Sequence, residues 1–308
     1  MRILFVASYN KNRFAPFIVE QAEALRRFGC DIDFFGLQGK GFKGYLKNLP
    51  ALKQKIKEFH PHLIHAHYGL SGLLANLQRT VPVVTTYHGS DINDRKVLPF
   101  SKLAMRLSAW NIFVSQKTLE IAKPKKKHTL LPCGIDLTEL QLTEKQEARR
   151  KMHLSLGKKI ILFAGAFENA VKNAPLAKET IALLDDPYVE LLELKGYSRE
   201  EVTLLMCAAD VFLMTSYAEG SPQVIKEVMA CGCPIVSVDV GDVKERVEGL
   251  EGCYVAETRD PQELVHLLQK AMTLKGRTKG RERLVADGLD NNIVAQKLIR
   301  IYQRVTKK

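Results

Sequence analysis

No apolar run in the 308-residue chain reaches the roughly 18 residues that a membrane-spanning helix needs. The chain also lacks a Ser-His-Asp set, a P-loop and a Gly-x-Gly-x-x-Gly fingerprint, which argues against a hydrolase, a kinase and a dinucleotide oxidoreductase. Cysteine is sparse: six residues without framework spacing exclude a disulfide scaffold. Cys231 and Cys233 stand too close to staple a loop, and Cys30 sits where a helix meets a strand. The expected compartment is therefore the reducing cytoplasm. There is no low-complexity segment and no short-period repeat. Hydrophobic residues at 46% and charged residues at 26% leave no room for disorder, collagen or coiled coil. The opening MRILFVASYNKNRF has one Arg, a short apolar run and no small-residue cleavage site, so it reads as a first strand rather than a signal peptide.

Acidic residues are scarce in one half only. Residues 1–150 hold 24 of the 46 Lys and Arg but 12 of the 34 Asp and Glu, so the whole formal charge of +12 lies there. Part of the excess is clustered, at Lys53, Lys55 and Lys57 and at Lys123, Lys125, Lys126 and Lys127. Such one-sidedness points to an anionic partner: a membrane surface, a phosphorylated lipid or nucleic acid. Nucleic acid is the weakest of these, because recognition-helix, RNA-binding aromatic and zinc-finger patterns are all missing. A merely Lys-rich soluble surface is an equally good reading of a scattered excess.

The first half alternates strand and helix patterns. RILFVAS (2–8) is a continuous apolar run, as in a strand buried on both faces of a parallel sheet. Helical periodicity over 14–28 stops at Gly29. Strands are expected at 31–36, 63–68, 81–88, 111–115 and 128–136, with helices at 46–58, 70–79 and 100–109 and a short helix after 115 between them. Residues 137–157 read as a crossover with a helix at 143–154. The pattern then restarts: strands at 158–167, 188–196, 210–216 and 234–240, helices at 174–184, 199–208 and 221–231, and helices at 261–273, 279–287 and 292–306. Two βα runs of similar size imply an α/β protein with two doubly wound Rossmann-like domains, over 1–140 and 141–290, and a final helix at 291–308. In such sheets ligands sit at the carboxyl ends of the strands, so the two domains are expected to face each other across a cleft.

The segment richest in chemistry is TSYAEGSPQVIKEVMACGCPIVSVDVGDVKE (215–245). A strand ends at Ser216, and a helix begins near Ser221 or Pro222, with Pro in its favoured first-turn position. Gly220 permits close backbone approach. The amides and dipole of that helix start make an anion site. Glu227, eight residues after Glu219, projects toward the same rim and suits a ribose diol. A plain helix start with two surface glutamates fits the spacing equally well.

The ordered set of segments resembles the group 1 (family 4) glycosyltransferases of the GT-B fold. Their nucleotide-binding signature has two Glu separated by seven residues, with Gly and Pro after the first. Here it reads EGSPQVIKE, and MACGCPIVS, VDVGDVKERV and GYSREEVTLLMCAADVFLMTS are similar to its flanks. LIHAHYGLSG, VVTTYHGSDIN, NIFVSQ and LLPCGIDL resemble successive strand ends of the family's first domain, and NNIVAQKLIRIYQRV its returning C-terminal helix. The resemblance implies a hexosyltransferase that moves a sugar from a UDP- or GDP-linked donor to a hydroxyl, with retention and without a cofactor or metal. It implies that Glu227 holds the donor ribose, and that Glu219, Gly220, Ser221 and Pro222 meet the donor sugar and phosphates. His88 of HGSD matches the cleft histidine near the reacting sugar. Lys172 matches the Lys of a basic pair that grips the diphosphate, but Ala166 stands where Arg is usual and the spacing is about one residue longer. The family's Gly-Gly loop after the first strand is also missing. Asn10, Lys11, Asn12 and Arg13 occupy that stretch and are candidates for acceptor or phosphate contact. The expected acceptor is a lipid-linked or oligosaccharide glycan of bacterial surface polysaccharide or lipopolysaccharide. The expected location is cytoplasmic, peripheral on the inner face of an anionic membrane.

Other residues have plainer readings. His60, His62, His65 and His67 suggest zinc, but a third ligand at matching spacing is missing, so the segment reads as strand-end ordering. Asp31-Ile32-Asp33 reads as a strand start rather than a metal motif. Asp91 suits substrate contact or turn capping equally. Two rivals to transfer stand: a sugar-nucleotide epimerase of similar fold, and a degenerate nucleotide-sugar-binding protein, which the missing Arg and Gly pair keep in play.

Overall fold

The computed structural model describes residues 1–10, 12–125 and 127–307. Lys11 and Lys126, named above as contact and cluster residues, lie outside the described residues. The chain divides into two compact units, Met1–Ile135 with Leu289–Lys308, and Asp136–Gly288.

The first unit runs β1 (Arg2–Ser8), α1 (Pro16–Arg27), β2 (Asp31–Leu37), α2 (Gly41–Leu46), α3 (Leu49–Phe59), β3 (Leu63–His67), α4 (Gly69–Asn76), β4 (Val83–Tyr87), α5 (Ser90–Asn93), α6 (Leu98–Leu107), β5 (Trp110–Phe113), α7 (Gln116–Ala122) and β6 (His128–Leu130). Among the described residues the strands form one parallel sheet in the order β2-β1-β3-β4-β5-β6. The apolar run at 3–7 is central because it is buried on both faces. Ile3 and Phe5 join one hydrophobic cluster and Leu4 and Val6 another, on opposite sides of the sheet.

The second unit runs α8 (Lys145–Lys151), β7 (Lys159–Phe163), α9 (Ala174–Leu184), β8 (Val189–Glu193), α10 (Arg199–Ala208), β9 (Val211–Met214), α11 (Gln223–Ala230), β10 (Ile235–Val238), α12 (Val243–Val247), β11 (Cys253–Ala256), α13 (Pro261–Ala271) and α14 (Gly280–Ala286). Its parallel sheet has the order β11-β10-β9-β7-β8. Counted from its own first strand this is 2-1-3-4-5, the order at the core of the first sheet as well. Each sheet therefore has its topological switch point between its first and third strands. Buried Asp210 anchors α8 to this sheet: it accepts from Arg149 Nη2 at 2.6 Å, from the Ile160 amide at 2.6 Å, and from Lys145.

The last helix, α15 (Asn291–Thr306), packs on α1 of the first unit. Its fully buried Tyr302 lies with Oη 2.6 Å from His65 Nδ1. All six cysteines are buried and free. Among the described residues no helix is long and apolar enough to cross a membrane.

The expected elements are present, with shifted ends and some additions. The short α2, α5 and β11 were not expected, because pieces of four to six residues carry too little periodicity to register. The helix expected from Ser221 or Pro222 begins at Gln223, with Pro222 as its extended cap (φ −67°, ψ 120°) rather than in its first turn. Glu227 therefore lies little more than one turn into α11.

Candidate functional site

In the second unit the switch point lies between β7 and β9, and the loops that follow these two strands meet there. The Lys172 ammonium sits on the loop after β7 and is 2.7 Å from Glu219 Oε1 on the loop after β9. The backbones meet too: the Tyr217 amide donates to Val171 O at 2.9 Å, and Thr215 Oγ1 donates to the carbonyls of Lys172 and Asn173, each at 2.9 Å. From beyond β11, Arg259 donates to the carbonyls of Thr215, Ser216 and Tyr217. The Lys172–Glu219 pair is thus held by three neighbouring segments rather than by two flexible side chains.

The loop after β10 closes the other side. Ser221 Oγ donates to Asp242 Oδ2 at 2.8 Å, and Arg246 Nε reaches the same oxygen at 3.0 Å. Gly241 has φ +56°, and a Cβ there would lie 2.5 Å from the Gly220 carbonyl oxygen, so only glycine lets the two loops approach this closely. The opening turn of α11 presents backbone N–H groups at this rim, as any helix start does. Glu227 is half-buried, with Arg199 Nη1 3.6 Å from Oε1. Burial pushes its carboxyl up from the ordinary range, against the pull of Arg199 and Lys226. Sequence reading of Ser198-Arg199-Glu200-Glu201 finds the capping box, which is present, but not that Arg199 faces Glu227. That pairing joins helices 28 residues apart and has no local signal.

Lys172, Gly220, Ser221, Pro222 and Glu219 thus gather around one junction, and Glu227 flanks it. Gly165 leaves room for the lysine stem: a Cβ there would lie 3.2 Å from Lys172 Cγ. Ala166, where the resemblance leads one to look for Arg, brings no charge.

The first unit has its own arrangement at the carboxyl ends of β1, β3 and β4. His88 follows β4, and its Nε2 lies 3.1 Å from His67 Nδ1 at the end of β3. The rings are stacked, with centroids 5.3 Å apart and planes at 25°. His65 and His67 stack in turn at 4.4 Å, and His65 Nε2 is 2.7 Å from Thr86 Oγ1. His67 is fully buried, and its Nε2 has no hydrogen-bond partner. An orphaned lone pair costs less than an orphaned N–H, so the proton belongs on Nδ1 and is donated to His88 Nε2. On the other side of the His88 ring, Cys133 Sγ lies 3.9 Å from Nδ1. Desolvation holds His67 well below the ordinary imidazole range and His65 down at about 3, so both rings are neutral.

Asp91 resolves toward the capping role. Its Oδ2 accepts from the Gly69 amide at 2.8 Å, and its Oδ1 from the amides of His88 and Gly89, each at 3.0 Å. One buried carboxylate thereby ties the loop after β3 to the loop after β4 and fixes the backbone of His88. Burial raises the carboxyl to about 6 although these amides favour the charged form. Tyr68 packs on His88 with centroids 4.6 Å apart and has φ +72° and ψ 150°, a backbone region costly for any residue but glycine. No sequence pattern announces that strain.

A cavity of about 700 Å³ opens beside these loops, with Arg13, Phe14, Tyr68, Ser71 and Asp94 in its wall. Ser71 Oγ is buried there without a partner. Of the described candidates after β1, Asn10 and Arg13 line the cavity, and the Asn10 amide is engaged with the main chain of Gly39. His62 Nδ1 accepts from the Arg2 amide, and His60 caps α3. Among the described residues no three His, Cys, Asp or Glu side chains are disposed to hold a metal ion.

Comparison with known proteins matches residues 178–273 to the model of glycosyl transferases group 1 and residues 15–139 to that of glycosyltransferase family 4. The chain is 29% identical over 223 residues to a Bacillus subtilis protein bearing the name of a teichuronic acid biosynthesis glycosyltransferase, covering 63% of this chain and 57% of that one. It is 27% identical over 267 residues to the amylovoran biosynthesis glycosyltransferase AmsK of Erwinia amylovora, covering 71% and 64%. The matches thus span about 57–64% of the length of these curated relatives. Among solved structures, sucrose-phosphate synthase from Thermosynechococcus elongatus superposes with a TM-score of 0.83 at 18% identity, over 99% of both chains. Anabaena HepE, solved in complex with UDP-glucose, superposes with a TM-score of 0.75 at 17% identity, over 99% of this chain and 100% of that one.

Proposed function

Because the chain belongs to the group 1 (family 4) glycosyltransferases and has their GT-B fold, we propose that it transfers a hexose from a nucleotide sugar to a glycan hydroxyl in bacterial surface polysaccharide biosynthesis. The second unit binds the donor and the first unit the acceptor. The observation that carries this reading is the Lys172–Glu219 pair at the switch point of the second sheet, beside the opening turn of α11. A cation and helix amides at the carboxyl edge suit a diphosphate. A half-buried carboxylate one turn into the helix suits the ribose diol.

The hard step is departure of a nucleoside diphosphate from a carbon that develops positive charge. Lys172 and the α11 amides stabilise the charge that grows on the leaving phosphate. The acceptor oxygen bonds to the anomeric carbon as the carbon–phosphate oxygen bond breaks on the same face. The departing phosphate takes the hydroxyl proton, so configuration is retained and no separate base is required. We assign His88 to turnover, acting through a ring held by His67 and a backbone held by Asp91. Glu219 accepts hydrogen bonds from the donor sugar once the diphosphate engages Lys172. Donors of the UDP or GDP type are expected; HepE, a structural neighbour, was solved with UDP-glucose. The acceptor we propose is lipid-linked and presented at the inner face of an anionic membrane.

Nucleoside diphosphate release and glycan product, followed with a panel of nucleotide sugars, tests the reading. Glu227→Ala is expected to weaken donor binding about tenfold or more, and His88→Ala to depress turnover with the donor still bound. Unchanged behaviour in both variants contradicts it.

A further inference from the structure

The exposed side of α6 divides into two rows. Ser101, Ala104 and Met105 turn inward, and Ser108 after them is buried as well. Phe100, Leu103 and Leu107, spaced i, i+3 and i+7, form an outward stripe with exposures of 38, 44 and 43%. Lys102 and Arg106 form a second row along one edge of that stripe. The stripe continues onto α2: the Phe42 ring stacks on Phe100 with centroids 5.6 Å apart and planes at 28°. Leu46, at the end of α2, is 41% exposed.

The charge around this apolar face has one sign. Residues 38–48 and 95–110 contain Lys40, Lys43, Lys47, Arg95, Lys96, Lys102 and Arg106, and no Asp or Glu. Along the basic row of α6 a pocket of about 230 Å³ is lined by Lys102 and Arg106 and by Lys123 and Lys125, with Met105, Ala122 and Pro124 completing its wall. Lys123 adopts a left-handed conformation (φ +47°) as the cap of α7, which turns the chain into this pocket. Glu120, the acidic residue nearest in sequence on α7, accepts from Gln116 Nε2.

We propose that this face docks on an anionic lipid bilayer, with Phe42, Phe100, Leu103 and Leu107 at the acyl boundary and a phosphate headgroup in the Lys102–Arg106–Lys123–Lys125 pocket. An apolar stripe bordered by cations is the pattern of an interfacial helix. A cation pocket along the stripe's basic edge matches headgroup phosphates lying just above the acyl boundary. Within residues 38–48 and 95–110 a protein partner would meet seven cations and no acid. The proposal rests on the membrane-side reading above and names the surface that carries it.

The test is sedimentation of the full chain with vesicles of phosphatidylglycerol and phosphatidylethanolamine, against vesicles of phosphatidylcholine. Binding to the anionic vesicles alone, falling as NaCl rises, is expected. Replacing Phe100, Leu103 and Leu107 by Ser, or Lys102 and Arg106 by Glu, is expected to weaken it at least about tenfold while nucleotide binding and thermal midpoint are kept. Millimolar inorganic phosphate or glycerol phosphate is expected not to release the protein. Retained vesicle binding in both variants overturns the surface but leaves the membrane reading. Equal binding to neutral vesicles, displacement by free phosphate, or a dimer that the Ser variant dissociates, overturns the lipid assignment. If no vesicle binds, the membrane reading fails as well. Donor turnover with a soluble acceptor then judges the transfer reaction separately.

Discussion

Two buried polar residues of the first unit hold His88, one at its ring and one at its backbone. His67 is neutral and buried, and donates Nδ1–H to His88 Nε2. His67→Phe keeps the stack but removes that anchor. Turnover is expected to fall about tenfold with donor affinity unchanged, read by initial rates and calorimetry. Asp91 is the second. Its carboxyl lies at about 6 in the fold, against about 3.9 unfolded, so the stability it contributes is full below pH 4 and lost as pH rises through 6. Asp91→Asn keeps one accepting oxygen but puts an NH2 group where the other accepted, so at least one of the three amides loses its acceptor and faces a donor; the first unit is expected to be destabilised by about 1–3 kcal/mol. The gap from wild type is expected to be about 1 kcal/mol wider at pH 5 than at pH 7.5. Trp110, the single tryptophan, lies on β5 and reports this unit during denaturant titration. Neither role is legible in the sequence beyond the choice between contact and capping at Asp91. The partners come from strand ends about twenty residues apart.

At the scale of elements, what was legible follows from burial. Strands such as 2–8 and 159–163 are covered on both faces and write unbroken apolar runs. Amphipathic α1 and α13 write a 3.6-residue period. The signature junction was legible as residue types, not as geometry. Pro222 closes the loop in extended conformation, and the missing arginine at Ala166 has no neighbour in sequence that announces how Lys172 is held. The structure supplies the answer in Glu219 and the Arg259 brace. Close approach of the loops after β9 and β10 makes a sharp prediction. Gly241→Ala places a methyl 2.5 Å from the Gly220 carbonyl oxygen and strains a left-handed residue. It is expected to lower donor affinity at least tenfold by displacing the junction, with Trp110 fluorescence unchanged. Calorimetric titration with the donor nucleotide checks it.

Across the whole molecule, two sheets repeat one strand order, so each unit carries a ligand-ready edge at its own switch point. The alternating pattern made this doubly wound architecture legible. The strand order itself required the pairing of β1 with β3 and of β7 with β9, which no local signal encodes. The charge asymmetry was also legible, but not that Phe42 of α2 meets Phe100 of α6, nor that Lys102 and Arg106 share a pocket with Lys123 and Lys125. α15 belongs to the first unit, and its Tyr302 supports the histidine stack from below. Tyr302→Phe leaves His65 Nδ1 buried and unpaired, and is expected to cost the first unit about 1–3 kcal/mol by the Trp110 signal, with donor affinity intact.

A crystal structure of the chain with a bound nucleotide sugar tests the central claim most directly. The diphosphate is expected within hydrogen-bonding distance of Lys172 and the amides at the start of α11, with the ribose on Glu227. A donor bound at any other edge, or a junction still closed by the Lys172–Glu219 pair at saturating ligand, contradicts it.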